Sequence, residues 1–200
     1  MYIIYIMSNF MFNFINSTPN HKTLNTPYQK TYNRETNPPL LKKHDKQASI
    51  SKPRAWGILT WMLFHTLAEK IKLERFQHYS PIIISYIKKI CYCLPCHYCR
   101  EDAQKYLSSF NFRLIKSKED LKLFLFDFHN HVNKKLKNET PSDQILEKYK
   151  HLDIVNVTQL WYEHFTRYGI EAQEFMEGMQ RDNVRNEVYR FIANNRLAFD

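Results

Sequence analysis

Apolar residues recur at helical spacing through most of the chain after residue 52. Between residues 55 and 71, large apolar residues follow one another at intervals of three or four: Trp56, Leu59, Leu63, Leu67 and Ile71. This spacing places them on one face of an α-helix and predicts that the face packs into a core. Trp61 and His65 are four residues apart, so they lie together on an adjoining face of the same helix.

Three further helices are predicted between residues 80 and 136. Ser80-Pro81 is typical of a helix start, with a capping serine and a proline at the first helical position. An isoleucine-rich run follows it, and a third helix is predicted to carry Cys96 in its first turn and to end near Phe110. The segment from Ser117 to Asp120 resembles a capping box and opens a fourth helix. The apolar stripe of that helix consists of Leu121, Phe124, Leu125, Phe128, Val132 and Leu136.

The rest of the chain divides into a polar start and a helical end. Residues 17–52 are rich in Asn, Thr, Pro, Lys and Gln without a sustained apolar period, which predicts a flexible tail. Residues 138–153 are expected to form a loop with a short helical turn, and residues 156–168 a fifth amphipathic segment. Residues 171–197 predict one or two more helices, with Phe175, Met176, Met179, Val184, Val188, Phe191 and Ile192 as their apolar positions. The pattern as a whole predicts an all-α protein.

Composition narrows the function classes. The formal charge of +9 is compatible with an anionic partner such as nucleic acid, a membrane surface or a phosphate-bearing cofactor. The basic residues are scattered and form no known nucleic-acid-binding motif, so no nucleic acid is expected as a partner. Only three glycines occur, and neither a Rossmann nor a P-loop motif is present. Residues 1–16 are apolar but too short to span a bilayer, and they lack the basic start and cleavage site of a secretory signal.

All four cysteines lie within the nine residues from Cys91 to Cys99. Cysteines this close serve either metal ligation or reversible pairing of two thiols. Cys96 and Cys99 form the more favourable pair, because a helix that begins beside Pro95 places both on one face and its positive end lowers the pKa of the first thiol. A metal site is the second interpretation, although the fourth cysteine of an iron–sulfur run and a second ligand pair for zinc are both missing.

Cys91 and Cys93 are not expected to form a disulfide with each other. If both lie in the last turn of the second helix, their side chains point about 200° apart around its axis and cannot bridge each other. They would then be spare thiols, buried or intermolecular.

The fourth helix carries a polar segment in its second half. His129, Asn130 and Asn133 can bond the edge of an aromatic ring, and Lys134 and Lys135 follow them. Together they could seat an aromatic, phosphorylated ligand. The alternative is a polar helix face that meets solvent.

Taken in order, three motifs resemble those of the FAD-linked sulfhydryl oxidases of the Erv/ALR class. They are Gly57-x-x-x-Trp61-x-x-x-His65, Cys96-x-x-Cys99 and His129-Asn130-x-Val132-Asn133-x-x-Leu136. The resemblance covers roughly residues 50–168, leaves residues 1–49 as a basic tail and residues 169–200 as a helical extension, and is nearest in pattern to the viral members. It implies a four-helix bundle around FAD, closed by a short fifth helix, and a homodimer.

The resemblance also assigns roles to residues. It implies that a substrate thiolate attacks Cys96, and that Cys99 lies against the flavin and passes on two electrons, which O2 then accepts to give hydrogen peroxide. Gly57, Trp61 and His65 would approach FAD from the first helix. His129, Asn130 and Asn133 would contact its adenine and ribose, with Lys134, Lys135 or Lys137 near the pyrophosphate. No residue is assigned to a metal.

The absence of a cysteine after Cys99 suggests which thiols donate electrons. Without a distal shuttle pair, and unless Cys91 or Cys93 serves as the shuttle, a partner protein must deliver electrons directly to Cys96, and a thioredoxin-like C-x-x-C protein fits that role. Viral members of the class work in the host cytoplasm during virion assembly and cellular members in oxidising organelles, so the compartment stays open.

Overall fold

The computed structural model of the protein describes residues 55–165 and 172–200, with side chains from residue 176 onward in the second range. Six α-helices lie in these ranges: α1 (Ala55–Lys70), α2 (Phe76–Tyr92), α3 (His97–Ser109), α4 (Lys118–Lys135), α5 (Ile154–His164) and α6 (Ala172–Asn194). Short 3₁₀ segments cover Leu73–Arg75, Phe112–Leu114, Asp143–His151 and Arg196–Ala198. The only extended pairing in the described part is an isolated bridge between Ile71 and Phe199. The prediction of an all-α protein is confirmed, whereas the predicted tail of residues 1–49 lies outside the described residues.

The first helix, α1, occupies the centre of the molecule and packs against α4 and α5. Every residue of its predicted stripe is buried: Trp56, Leu59, Leu63, Leu67 and Ile71. A hydrogen bond fixes α5 on it, because Trp161 donates its indole N–H to the Thr60 hydroxyl at 3.1 Å. The short fifth helix therefore closes one side of the core.

The second helix begins earlier than its sequence indicates. Ser80-Pro81 is not a helix start, because α2 begins at Phe76 and Pro81 lies inside it. The buried face of α2 already begins at Phe76, from which it continues through Ser80, Ile83, Ile87 and Ile90 at helical spacing. Burial of the Phe76 ring thus extends the helix by a turn, although Pro81 has no backbone N–H and so removes one helical hydrogen bond.

The fourth helix begins as predicted and ends one residue early. The Ser117 side chain accepts the Asp120 N–H, and Asp120 accepts the Ser117 N–H, which completes the capping box. Hydrogen bonds to the Asp120 carboxylate lower its pKa, first that from the Lys116 N–H and then that from the Ser117 N–H. At the other end, Leu136 was expected in the apolar stripe but is 65% exposed, because the helix ends at Lys135 and Leu136 is its C-cap.

The C-terminal part is a single long helix rather than two. One face of α6 packs on α2 and α5 through Val184, Val188, Phe191 and Ile192. Met176 and Met179 were expected on that face but are exposed. Beyond the helix, the Lys72 N–H donates to the Ala198 carbonyl at 3.0 Å, which ties the last residues to the end of α1. None of the described helices is long and apolar enough to cross a membrane.

Candidate active site

A disulfide joins Cys96 and Cys99 at the start of α3, with their Cα atoms 5.1 Å apart. Cys96 is the N-cap of α3 and not a residue of its first turn, and Pro95 also lies outside the helix. The predicted start at Pro95 is therefore wrong by two residues, because α3 begins at His97. The reason is local: the Cys96 backbone is extended, and its Sγ takes the capping position by accepting the Cys99 N–H at 3.3 Å. The sulfur therefore lies at the positive end of the helix, where a thiolate is stabilised.

Cys91 and Cys93 are free thiols in a separate, buried environment. Burial raises the pKa of the Cys93 thiol to about 12 and raises the pKa of Cys91 still further. The prediction that these two residues do not bridge each other is confirmed. In residues 55–165 and 172–200, no group of three or more His, Cys, Asp or Glu side chains is placed to hold a metal ion, so the second interpretation of the cysteine cluster finds no preformed site there.

The aromatic residues predicted to approach FAD do come together between α1 and α4. Trp61 and His129 stack face to face, with ring centroids 4.1 Å apart and planes 6° from parallel. His65 joins them, since its Nε2 lies 3.1 Å from the His129 Nδ1. One of these two nitrogens carries a proton and donates a hydrogen bond to the other, which fixes the orientation of both rings.

Both imidazoles are held in the neutral form. Burial lowers the pKa of His129 to about 4, and burial followed by the nearby His129 lowers the pKa of His65 well below its ordinary value. Removing water from around a charged imidazolium raises its free energy, so the uncharged ring is favoured. At neutral pH the pair is therefore an uncharged aromatic surface with hydrogen-bonding edges.

Tyr149 completes this cluster and was missed by the sequence analysis. Its ring stacks on His65 with centroids 4.7 Å apart, and burial raises the pKa of its hydroxyl to about 12. The available signal was the spacing of Leu146, Tyr149 and Leu152, because a period of three is that of a 3₁₀ helix. The structure forms such a helix there, with Leu146 and Leu152 buried.

Asn130 and Lys134 lie on the neighbouring face of α4. Both line a groove of about 650 Å³ between α4 and residues 140–143. Asn133 lies between this face and His129 and donates to the Asn130 side-chain oxygen at 3.5 Å. At 100° per residue, positions 129, 133, 130 and 134 follow one another around roughly 140° of the helix surface. The predicted polar residues therefore form one continuous strip beside the aromatic stack.

The remaining predicted contacts lie at the edges of the site. Lys135 pairs with Asp102 on α3, a partner that the sequence analysis did not anticipate, and Asp102 also lies 3.5 Å from His131. Lys137 has a left-handed backbone with φ of 57° just beyond α4. Gly57 lies one helical turn before Trp61, and a Cβ atom added there would meet nothing within 4 Å. The chain thus leaves open space beside Gly57.

A row of rings connects the disulfide helix with the aromatic cluster. Tyr106 of α3 stacks on Phe128 of α4 at 4.6 Å, and Phe128 in turn lies edge-on to Trp61 at 5.1 Å. Cys99 lies seven residues before Tyr106 on the same face of α3, which corresponds to roughly 10 Å along the helix axis. The disulfide on α3 is therefore linked to the aromatic cluster between α1 and α4 through the rings of Tyr106 and Phe128.

Comparison with known proteins shows which family the chain is similar to. Residues 59–151 match the family described as Erv1 / Alr. A putative FAD-linked sulfhydryl oxidase, 347L of Invertebrate iridescent virus 6, is 31% identical over 94 residues, which are 42% of this chain and 81% of that protein. The chain belongs to the Erv1/Alr family.

Two other relatives of the Erv1/Alr family differ in how much of their length is matched. The putative FAD-linked sulfhydryl oxidase 096R of Invertebrate iridescent virus 3 is 29% identical over 49% of this chain and 68% of its own length. The mitochondrial FAD-linked sulfhydryl oxidase ERV1 of Saccharomyces cerevisiae is 27% identical over 40% of this chain and 42% of its own length. No solved structure matches the chain significantly.

The match to the Erv1/Alr family covers most of the candidate site. Residues from Trp61 to Tyr149 fall inside it, including the disulfide and the polar strip of α4. Gly57 lies two residues before the matched segment. The helices α5 and α6 lie after it, so contacts that they make with the site belong to the part of this chain beyond the family match.

Proposed function

We propose that this protein is an FAD-dependent thiol oxidase that forms disulfides in protein substrates, with Cys96 and Cys99 as its redox pair. The observation that carries this proposal is the Cys96–Cys99 disulfide at the start of α3, a helix whose Tyr106 is linked through Phe128 to a cluster of neutral aromatic rings in a member of the Erv1/Alr family. The relatives' own designation as FAD-linked sulfhydryl oxidases supports FAD as the cofactor.

The side chains present suit FAD. A stack of indole and imidazole planes suits a flat ring system, and the edges of neutral histidines and asparagines suit the polar rim of an adenine and a ribose. Trp61, His65, His129, Asn130 and Asn133 would hold these parts of FAD, Gly57 would leave room for its approach, and Lys134 or Lys137 would face its phosphates. Lys135 is a weaker candidate, since Asp102 already neutralises it. When bound, FAD supplies the two-electron acceptor that side chains lack and returns the electrons to O2 as hydrogen peroxide.

Thiol exchange takes place at the disulfide. A substrate thiolate attacks the Cys96 Sγ, the Cys96–Cys99 bond breaks, and Cys99 leaves as a thiolate. A second substrate thiol then attacks the substrate sulfur of the mixed disulfide and releases Cys96. The Cys99 N–H that already faces the Cys96 Sγ at 3.3 Å stabilises the charge on that leaving sulfur.

The substrate is expected to be a thiol-bearing protein that reaches Cys96 directly. Burial and high thiol pKa values disfavour Cys91 and Cys93 as relays between the surface and the disulfide. A thioredoxin-like protein with its own C-x-x-C pair would supply two thiols in the required geometry. We further propose residues 50–168 as the catalytic domain and a homodimer as the working form, which light scattering on the purified protein tests.

Oxygen uptake by the purified full chain tests the proposed function. A yellow protein should consume O2 on addition of dithiothreitol and release one hydrogen peroxide for each disulfide formed. His129→Ala should lose flavin on dialysis faster than the unaltered protein. A colourless protein that remains without flavin after refolding with FAD contradicts the proposal.

A further inference from the structure

The C-terminal helix α6 contacts the start of α3 and the loop of residues 93–96 before it, where the redox cysteines lie. Glu177 of α6 forms a bidentate ion pair with Arg100, whose Nη1 and Nη2 lie 2.7 and 2.8 Å from the two carboxylate oxygens. Arg100 directly follows Cys99 in the sequence. A paired guanidinium–carboxylate contact fixes orientation as well as distance. This contact therefore fixes α6 against the beginning of α3.

The same arginine also fixes the loop before Cys96. Its Nη1 donates to the Leu94 carbonyl oxygen at 2.9 Å. Arg100 thus bridges Glu177 and the backbone of residues 93–96, and its side chain is only 12% exposed. The loop is therefore anchored to α6 through the Arg100 guanidinium.

A second, fully buried arginine of α6 lies under this loop. Arg181, one helical turn after Glu177, is 1% exposed and donates from Nη1 to the Cys93 carbonyl oxygen at 3.5 Å. Its Nε has no hydrogen-bond partner among the described residues. The charges of Arg181 and Arg100 both act to lower the pKa of Cys93, against the larger effect of burial. Two guanidinium groups therefore bring positive charge to the loop from which Cys96 emerges.

We propose that α6 is part of the redox machinery: Glu177, through Arg100, is a positioning residue that holds the loop of residues 93–96 and stabilises the Cys96–Cys99 disulfide against reduction. This inference rests on the proposed role of that disulfide. A rigid loop keeps the two sulfurs at a high effective concentration, which favours the bonded state. The Glu177 carboxylate also offsets the Arg100 charge, which would otherwise favour the thiolates of the reduced pair.

The variant Glu177→Gln tests this inference because both effects act in the same direction. It removes the charge and one arm of the contact at nearly constant size, so the disulfide should become easier to reduce. In the reaction, the Cys96–Cys99 bond breaks, a disulfide forms between two glutathiones, and their two protons and two electrons pass to the cysteines. We expect the equilibrium constant for this reduction to rise about tenfold, which is about 30 mV for a two-electron couple.

The measurement uses the full chain in anaerobic glutathione redox buffers. Alkylation followed by mass spectrometry counts the thiols, which are those of Cys91 and Cys93 in the oxidised protein and all four cysteines in the reduced one. Glu187→Gln is the matched control, because Glu187 joins the same helix to α2 through an ion pair with Lys89 at 2.5 Å, away from the loop. The control should stay within twofold of the unaltered protein.

The outcomes separate the inference from the proposed function. If Glu177→Gln matches Glu187→Gln, or makes the disulfide harder to reduce, α6 only stabilises the fold and the inference is wrong. The reduction equilibrium needs no oxygen uptake and no flavin. A protein that proves not to be an oxidase would therefore contradict the proposed function and still give a result for the α6 contact.

Discussion

At the scale of single residues, burial divides the four cysteines into two kinds of sulfur. Cys91 and Cys93 are buried thiols with raised pKa values, whereas Cys96 and Cys99 are partly exposed and joined at a helix end. Since the thiolate is the reactive form, the buried pair should take no part in turnover. We expect Cys91→Ala and Cys93→Ala to retain at least half the rate of O2 consumption with dithiothreitol. A loss as complete as that of Cys99→Ser would show that a buried thiol carries electrons.

The neutral histidine pair predicts a pH dependence of stability. The unfolded chain binds a proton at His129 near pH 6.5, but the folded protein does so only near pH 4. Between these values unfolding takes up a proton, so the free energy of unfolding falls as the pH is lowered. At about 1.4 kcal/mol for each pKa unit, His129 accounts for a loss on the order of 2–3 kcal/mol between pH 7 and pH 4.5, where about two of these units take effect.

Urea unfolding of the flavin-free protein at pH 7 and pH 4.5 measures this loss. His129→Gln cannot take up the proton and should show a smaller difference between the two pH values. His78→Gln, at an exposed position, is the control and should behave like the unaltered protein. An unchanged pH dependence in His129→Gln would mean that the imidazole is not held neutral by burial.

Residue contacts were predictable where they follow from spacing along one helix. Trp61 and His65 were predicted together because they are four residues apart, and family resemblance added His129. Contacts between distant parts of the chain, such as His65 with Tyr149 and Lys135 with Asp102, depend on how the helices dock. Local periodicity carries no information about that docking, so those partners were missed.

At the scale of helices and loops, capping contacts within one turn were predictable, whereas the extension of a helix by burial of its first residue in the core was not. The Ser117–Asp120 capping box forms as the sequence indicates, because both partners lie within one turn. The start of α2 was misplaced at Ser80-Pro81 because its earlier start at Phe76 depends on burial in the core. The Cys96 cap was likewise hidden, since sulfur is not among the usual capping groups.

The end of α4 places a lysine where glycine is usual. The Lys137 N–H donates to the Lys134 carbonyl at 3.1 Å and the Asn138 N–H to the Asn133 carbonyl at 2.9 Å, which is a Schellman motif with Lys137 in the left-handed conformation. Lys137→Gly should raise the free energy of unfolding by about 0.5–1 kcal/mol, because glycine avoids the steric cost of that conformation. The same variant should release flavin faster if the amine faces the phosphates.

Lys137→Ala separates the two effects. It removes the amine but keeps the Cβ atom, so it should release flavin as Lys137→Gly does without gaining stability. Urea unfolding and flavin release on dialysis measure both quantities. Equal stability of the two variants would show that the left-handed conformation costs nothing at this position.

At the scale of the whole molecule, a buried hydrogen bond between two side chains joins the segment matched to the family with α5, which follows it. Trp161 of α5 donates to the Thr60 hydroxyl of α1, and Trp161 is fully buried. Thr60→Val should lower the free energy of unfolding by about 1–3 kcal/mol, since the indole N–H then lacks its acceptor.

A double-mutant cycle with Trp161→Phe isolates the contribution of this contact. The double variant should lose about 1 kcal/mol less than the sum of the two single losses, because no buried donor is left unpaired. Chemical denaturation of the flavin-free variants measures the three values. Strict additivity would show that the bond between α1 and α5 adds nothing to stability.

The architecture was predictable at this scale only in outline. Helical periodicity predicted an all-α chain whose first helix has one core-facing side, and the resemblance implied a short fifth helix, which α5 matches. The position of α6 against the cysteine loop was not foreseeable. Its contacts come from charged residues, Glu177 and Arg181, which a helical pattern would ordinarily place toward solvent.

Anaerobic titration with dithiothreitol, followed by the visible absorption of the bound flavin, tests the central claim most directly. The account predicts that dithiothreitol bleaches the flavin of the unaltered protein. It also predicts that Cys96→Ser and Cys99→Ser keep a bound flavin that stays oxidised over the same period. Bleaching at an undiminished rate in both variants would contradict the account, because electrons would then reach the flavin without the Cys96–Cys99 pair.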